Sequence, residues 1–190
     1  MHIVIISSST RNQRKSHRVA LFLAERIATT TNHTTEILDL AEHKFPLMEE
    51  PLKHMANPPA GLRAFSDAII AADAAVFVSP EYNGAYTSAL KNALDYLSEN
   101  EFTRKVVGVA SITDGPMGGM RGAQAMQQLV LGVGGYPIPQ MLLVPQVHEK
   151  FDETGQLLDA AFERKVNFFL NGFFWLSEAV TARKEETVQA

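Results

Sequence analysis

The chain has 190 residues, of which 46% are hydrophobic, so it is long enough to bury a large core as one domain over residues 1–190. Its 17 Lys and Arg residues against 21 Asp and Glu residues give a net charge of −4, which argues against nucleic acid or an anionic membrane as a partner. The absence of cysteine excludes disulfides, thiolate catalysis and thiolate metal ligands, so any redox chemistry must come from a bound cofactor.

The amino-terminal residues predict a cytoplasmic protein. They contain no basic leader followed by a long apolar run, and no later stretch reaches the roughly 18 apolar residues that span a bilayer. The six histidines are scattered without the spacing of a zinc site, so no metal site is predicted.

Apolar runs of strand length alternate with segments of helical periodicity, the pattern typical of βαβ units around a buried parallel sheet. Between the second strand and the second helix, residues 41–60 contain four prolines and are predicted to form an irregular surface flap. The predicted strands are 3–7, 36–40, 74–79, 106–112 and 141–144, and the predicted helices cover 19–27, 61–72, 90–97, 123–130 and 159–180.

This alternation favours an α/β fold with a doubly wound, flavodoxin-like parallel sheet. The expected strand order is 2-1-3-4-5, with helices on both faces. In that order, the loops after the first and third strands face each other across a crevice, where such sheets bind ligands. The six aromatic residues between positions 162 and 175 are assigned mainly to the core, with an oligomer contact as the alternative.

The loop after the first strand, residues 8–16, carries four hydroxyl groups, three cations and no acidic residue. Hydroxyl groups, backbone N–H groups at a helix amino terminus and arginine all suit a phosphate group. The candidates are Ser9, Arg11 and Ser16, and Ser16 is also expected to be the N-cap of the first helix. The alternative is an ordinary polar turn with solvated cations. Because the loop has neither a Walker A motif nor a dinucleotide fingerprint, a nucleoside triphosphatase is not expected.

The loops after the third and fourth strands can hold a planar ring. Pro80 stiffens the exit from the third strand, Tyr82 supplies a wall, and Gly84 allows close backbone approach. Glu81 is interpreted as a positioning residue, and the backbone N–H groups near Asn83 and Gly84 as hydrogen-bond donors. In the loop after the fourth strand, for which an ordinary glycine-rich turn is the alternative, the candidates are Thr113 and Gly115.

Together these motifs resemble the NADPH-dependent FMN reductase family over about the first 130 residues. The matching segments are Ser9-x-Arg11 with Ser16, Pro80-Glu81-Tyr82-Asn83, Leu90-Lys91-Asn92-Ala93-Leu94-Asp95 and Gly118-Gly119. Members of the family often have a Pro-Gly pair before the segment that starts at Leu90. This chain has Thr87-Ser88 there, which adds a helix N-cap.

The resemblance implies FMN as the cofactor, NADPH or NADH as the reductant, and a quinone, an azo compound, a metal oxyanion or free flavin as the acceptor. It implies that the FMN phosphate is held by Ser9, Arg11, Ser16 and His17, and the isoalloxazine by Pro80 to Asn83 with Thr113 or its neighbours. It also implies a homodimer or a homotetramer. No catalytic side chain is expected, because the hydride passes between stacked rings.

Two other functions stay open at this point. One is a non-enzymatic electron carrier like flavodoxin, and the other is a flavin-free binding module. Carriers use a dense acidic surface to dock on their partners, so a net charge of only −4 with cations in the first loop weighs against the carrier.

Overall fold

The computed structural model describes residues 1–188, with all of their side chains except those at positions 99 and 185–188. Five parallel strands form one sheet in the order β2-β1-β3-β4-β5, which confirms the predicted topology. The strands are β1 (His2–Ser7), β2 (Thr34–Asp39), β3 (Ala74–Pro80), β4 (Val106–Ile112) and β5 (Tyr136–Val144).

The connections between the strands are largely helical. The α-helices within residues 1–188 are α1 (Ser16–Thr30), α2 (Leu40–His43), α3 (Leu62–Ala71), α4 (Ser88–Asp95), α5 (Met120–Gly132), α6 (Val147–Lys150) and α7 (Glu163–Val188). Short 3₁₀ helices cover Leu52–His54, Glu99–Glu101 and Ala160–Phe162. The predicted N-cap before α4 is confirmed at Thr87, whose hydroxyl accepts a hydrogen bond from the Leu90 N–H at 3.1 Å.

The structure corrects two strand boundaries and the description of the flap. The second strand ends at Asp39, and Leu40 starts α2, so the flap at 41–60 is partly helical. The fifth strand starts at Tyr136, earlier than predicted, and contains Pro137 and Pro139. Proline is tolerated there because β5 lies at the edge of the sheet, where a missing N–H need not remove a ladder hydrogen bond.

The core has two layers, one on each face of the sheet, because side chains alternate along each strand. Ile3 and Ile5 pack with α1 and α7 on one face, and Val4 and Ile6 pack with α3, α4 and α5 on the other. Helices therefore cover both faces, as predicted. Within residues 1–188, no helix combines the length and the apolar character needed to cross a bilayer.

The aromatic residues of the carboxy-terminal segment divide between core and surface. Phe162, Phe169 and Phe173 are buried, as expected of core residues. Phe168 and Trp175 are 66% and 75% exposed, so the assignment to the core is wrong for these two side chains. Phe168 borders a surface depression beside Met141 and Leu143 of β5 instead of entering the core.

Candidate functional site

The loops after β1, β3 and β4 enclose a cleft of 440 Å³ at the carboxyl edge of the sheet. Of the predicted site residues, Ser9, Arg11, Ser16, Pro80, Glu81, Tyr82 and Thr113 line it, whereas His17, Asn83, Gly84 and Gly115 do not. A depression of similar size, 480 Å³, lies beside Leu94 and Gly132. Because those residues are at the carboxyl ends of α4 and α5, carbonyl groups are available there instead of N–H groups.

The first loop presents free backbone donors. None of the N–H groups of residues 9–13 has an acceptor within residues 1–188, and Ser16 and His17 lie in the first turn of α1, where N–H groups have no helical partner. The prediction of Ser16 as N-cap is wrong: the helix starts at Ser16 itself, and the cap position is Lys15, which makes no side-chain capping bond. The Ser16 hydroxyl has no hydrogen-bond partner in the described part of the chain, so it is available to a ligand.

Arg14 anchors this loop to the end of β2. Its guanidinium forms a bidentate ion pair with the carboxylate of the buried Asp39 and also donates a hydrogen bond to the Ser9 carbonyl at 2.8 Å. Asp39 also accepts from the Ala41 N–H at 2.9 Å. Burial alone would raise the pKa of Asp39, but the hydrogen bonds from Arg14 and Ala41, and the charge of Arg14, hold this pKa below its ordinary value. The loop is therefore pinned by a charged carboxylate.

His17 lies beneath the loop instead of in the cleft. Its Nδ1 is 3.0 Å from the Ser7 hydroxyl and 3.7 Å from the Asp39 carboxylate. Burial lowers the pKa of His17, and the charge of Arg14 lowers it further, against the smaller opposing effects of Asp39 and Glu42. The imidazole is therefore mainly neutral at pH 7 and adds little positive charge to the loop.

The loop after β3 contains a tight two-residue turn. The Tyr82 N–H donates to the Ala85 carbonyl at 2.8 Å, and the Ala85 N–H donates to the Tyr82 carbonyl at 3.0 Å. Asn83 and Gly84 have φ values of 53° and 82°, the combination of a type I′ turn, for which Asn-Gly is the preferred sequence. The N–H groups of Asn83 and Gly84 have no acceptor within residues 1–188, so this turn offers two donors.

Tyr82 bridges the two facing loops. Its hydroxyl is 3.4 Å from the Ser9 hydroxyl, and the Arg11 guanidinium lies 5.7 Å from the centroid of its ring. The predicted proximity of these two loops is thus observed directly. Pro80, Ile112 and Val147 add apolar surface to the same wall of the cleft.

The loop after β4 forms the third side of the cleft. Its Thr113 N–H and carbonyl bond to Val144 and Val147, and the Thr113 hydroxyl accepts the Gly115 N–H at 3.1 Å, so this N–H is not free for a ligand. Asp114 accepts a hydrogen bond from the Lys15 ammonium at 2.8 Å across the mouth of the cleft. This bond is the largest cause that lowers the pKa of Asp114.

Sequence reasoning missed the partners of two of the three loop cations: Asp39, which pairs with Arg14, and Asp114, which pairs with Lys15. A signal for Asp39 was available, since it ends the strand next to β1 in the predicted order, and carboxyl ends of parallel strands meet at one edge. For Asp114 the sequence placed the loop correctly but not the direction of its side chain.

The residues present fit a phosphorylated cofactor with a planar ring. Free N–H groups, two serine hydroxyls and Arg11 form a donor set for a phosphate, and the opposite wall offers apolar surface with the turn beside it. No cluster of three or more His, Asp or Glu residues in the described ranges is arranged to hold a metal ion.

Comparisons with known proteins agree with this arrangement. The sequence model of the NADPH-dependent FMN reductase family matches residues 1–149. An NADPH azoreductase of a Bacillus species is 30% identical over 158 residues, which cover 82% of this chain and 83% of the relative. A quinone reductase of Pseudomonas putida is 28% identical over 180 residues, covering 90% and 89%.

A search of solved structures gives the same fold. The flavoenzyme NAD(P)H:(acceptor) oxidoreductase FerB from Paracoccus denitrificans superposes with a TM-score of 0.74 at 20% identity, over 94% of this chain and 96% of that one. At this level of identity, the likeness concerns the fold.

Proposed function

Because this chain belongs to the NADPH-dependent FMN reductase family, we propose that its cleft binds FMN, with the phosphate in the loop after β1 and the ring beside the turn after β3. Membership of the family makes the chain an oxidoreductase that uses FMN and a reduced nicotinamide dinucleotide. FMN, when bound, accepts a hydride from the nicotinamide and passes the electrons to the acceptor.

The observation that carries the assignment is the set of free N–H groups at residues 9–13, in the loop that lines the cleft, together with the free N–H groups of Asn83 and Gly84, which follow the cleft residue Tyr82. The first set, with Ser9, Ser16 and Arg11, would bind the phosphate. Arg14 would act indirectly, because its guanidinium is already paired with Asp39. His17 would support the loop from below and would not contact the phosphate as a cation.

The ring would lie on the side of the cleft formed by Pro80 and Tyr82. Donors at Asn83 and Gly84 suit the electron-rich edge of a reduced isoalloxazine, where negative charge develops. In this proposal the protein orients the ring and stabilises that charge with backbone groups, and it needs no side-chain acid, base or nucleophile.

We propose a quinone or an azo compound as the acceptor, in line with the names of the relatives. The flap at 41–60 would contribute to the acceptor site, with Leu47 83% exposed on it. A homodimer or homotetramer in the cytoplasm is the assembly and location that we propose, the latter supported by a sequence without cysteine.

The decisive experiment is an absorbance spectrum of the purified protein, with and without added FMN, followed by NADPH under nitrogen and then an acceptor. We expect a flavin spectrum that bleaches with NADPH and recovers with a quinone or an azo dye, with steady NADPH oxidation. Bleaching without steady turnover on any small acceptor would indicate an electron carrier. The absence of both a flavin spectrum and thermal stabilisation by FMN would refute the proposal.

Arg11→Ala tests the phosphate end. Arg11 is exposed, so we expect FMN binding to weaken by about 1.5 kcal/mol, the lower end for a hydrogen bond to a charged group. Fluorescence titration of FMN gives the dissociation constant. Arg164→Ala, which removes an exposed arginine on α7, is the matched control and should leave the constant unchanged. An unchanged constant in Arg11→Ala would remove Arg11 from the site.

A further inference from the structure

We propose that Glu81 and the first turn of α5 form a clamp that positions the Tyr82–Ala85 turn for the flavin ring, so that Glu81 controls ring binding without touching the phosphate. The inference rests on the proposed function for its ligand. The contacts of the clamp itself do not depend on a ligand.

The clamp is a hydrogen bond between two loops that follow different strands. Glu81 Oε2 accepts from the Gly122 N–H at 2.9 Å, although the two residues are 41 positions apart in sequence. Gly122 lies in the first turn of α5, where N–H groups lack a helical acceptor. The Glu81 N–H in turn donates to the Ile112 carbonyl at 2.9 Å. Glu81 is thus fixed at both its backbone and its carboxylate.

The glycines of α5 make room for this contact. A Cβ atom at Gly122 would lie 3.1 Å from Glu81 Cβ and 2.9 Å from Ser111 Oγ. A Cβ atom at Gly119, the cap residue of α5, would lie 2.4 Å from the same Ser111 oxygen. The start of α5 therefore sits directly on Glu81, which explains why glycine is required at both positions in physical terms.

The same helical turn also covers the other side of the loop. The Arg121 guanidinium lies over Gly84, where a Cβ atom would be 3.0 Å from its Cζ. Its ion pair with Glu81 is long, at 3.6 Å, and the Arg121 side chain is 74% exposed, so this pair contributes little. The Glu81 side chain is only 17% exposed, which makes its bond to Gly122 the main restraint.

The restraint matters because the next residues carry the free donors. Asn83 and Gly84 come two and three residues after Glu81, and within residues 1–188 the turn that contains them is closed by two hydrogen bonds between Tyr82 and Ala85. Without the clamp, this turn would keep its own shape but lose its fixed position above the cleft. The clamp thus acts on the ring side, away from the phosphate loop.

The first test needs no flavin. In amide hydrogen exchange followed by NMR, Glu81→Ala should speed exchange at Gly122 by about tenfold, the effect of losing one charge-assisted hydrogen bond. Glu81→Gln, which keeps an acceptor oxygen, should retain most of the protection. Equal exchange at Gly122 in the wild type and Glu81→Ala would overturn the clamp.

The second test compares FMN with riboflavin, which has the same ring without the phosphate. Glu81→Ala should raise the dissociation constants of both flavins by the same factor, about tenfold, and Glu81→Gln should restore most of the affinity. Arg11→Ala should affect FMN alone. Glu153→Ala is the matched control, because Glu153 is 91% exposed and its ion pair with Arg18 has the same 3.6 Å distance.

The outcomes separate this proposal from the proposed function. If the wild type binds neither flavin, the function fails, while hydrogen exchange at Gly122 still tests the clamp. If it binds FMN but not riboflavin, or if Glu81→Ala binds both flavins like Glu153→Ala, the positioning role is refuted. A loss confined to FMN would also refute it. Thermal unfolding of each variant shows that the measured protein is folded.

Discussion

The two sides of the cleft are held in place by different forces. In the loop after β1, ion pairs join Arg14 to Asp39 and Lys15 to Asp114. In the loop after β3, backbone hydrogen bonds and positive φ angles shape the turn at 82–85, and the bond between Glu81 and Gly122 links it to α5. The first loop should therefore respond to changes of charge and pH, and the turn to changes of volume and backbone conformation.

Asp39→Ala, which acts on the loop after β1, should cause the largest loss of stability. It leaves the Arg14 guanidinium, whose side chain is 17% exposed, without its carboxylate, and it removes the capping bond to Ala41. Losing one partner of such a pair costs about 3 kcal/mol in the free energy of unfolding, measured by urea denaturation.

Asp95→Ala is the control for that variant. Asp95 pairs with Lys91 one helical turn away, and its side chain is 40% exposed, so its loss should cost about 0.5 kcal/mol or less. If Asp39→Ala cost no more than Asp95→Ala, the first loop would not be held by charge.

Asp39 also shows where prediction from sequence ends. The sheet was predictable because β1 and β3 are buried along nearly their whole length and read as unbroken apolar runs. The turn was predictable because Asn83-Gly84 specifies its own geometry locally. The strand order then brought the correct loops together, which is why most candidate residues line one cleft.

The remaining features depend on contacts between distant residues. The bonds Arg14–Asp39 and Glu81–Gly122 join residues 25 and 41 positions apart, and their formation depends on side-chain rotamers that no local pattern encodes. The start of β5 was missed for a different reason: Pro137 and Pro139 oppose a strand locally, and only the edge position permits them.

Gly84→Ala, which acts on the turn after β3, should cause an intermediate loss of stability. At a φ of 82°, an alanine is strained by about 1–2 kcal/mol, the cost of the left-handed conformation for residues with a Cβ atom. The guanidinium of Arg121, 3.0 Å from the new methyl group, is exposed and able to move. Thermal or urea unfolding measures the loss.

Gly132→Ala is the matched substitution for that test. Gly132 ends α5, and no atom lies within 4 Å of a Cβ atom there, so the same change should cause no loss of stability. Equal stability of the two variants would mean that a side chain at position 84 does not strain the backbone of the turn.

The smallest expected effect is on the pH dependence of the free energy of unfolding, and it comes from His17 beneath the loop after β1. Burial and the charge of Arg14 lower the pKa of His17 from its ordinary value of 6.5, so the folded protein binds a proton less readily than the unfolded chain. This contribution to stability is fully present above pH 6.5 and is lost as the pH falls below that value. His17→Gln should therefore flatten the decline in the free energy of unfolding over this range.

His54→Gln is the control, because His54 is an exposed histidine in the flap. Urea denaturation at a series of pH values should give it the wild-type slope, whereas His17→Gln gives a shallower one. The lowered pKa of Asp39 produces a second decline at more acidic pH, which both variants keep because Arg14 remains beside that carboxylate. An identical slope in all three proteins would mean that the histidine beneath the first loop does not titrate with folding, and the sensitivity of this side to pH would then come from the carboxylates of Asp39 and Asp114.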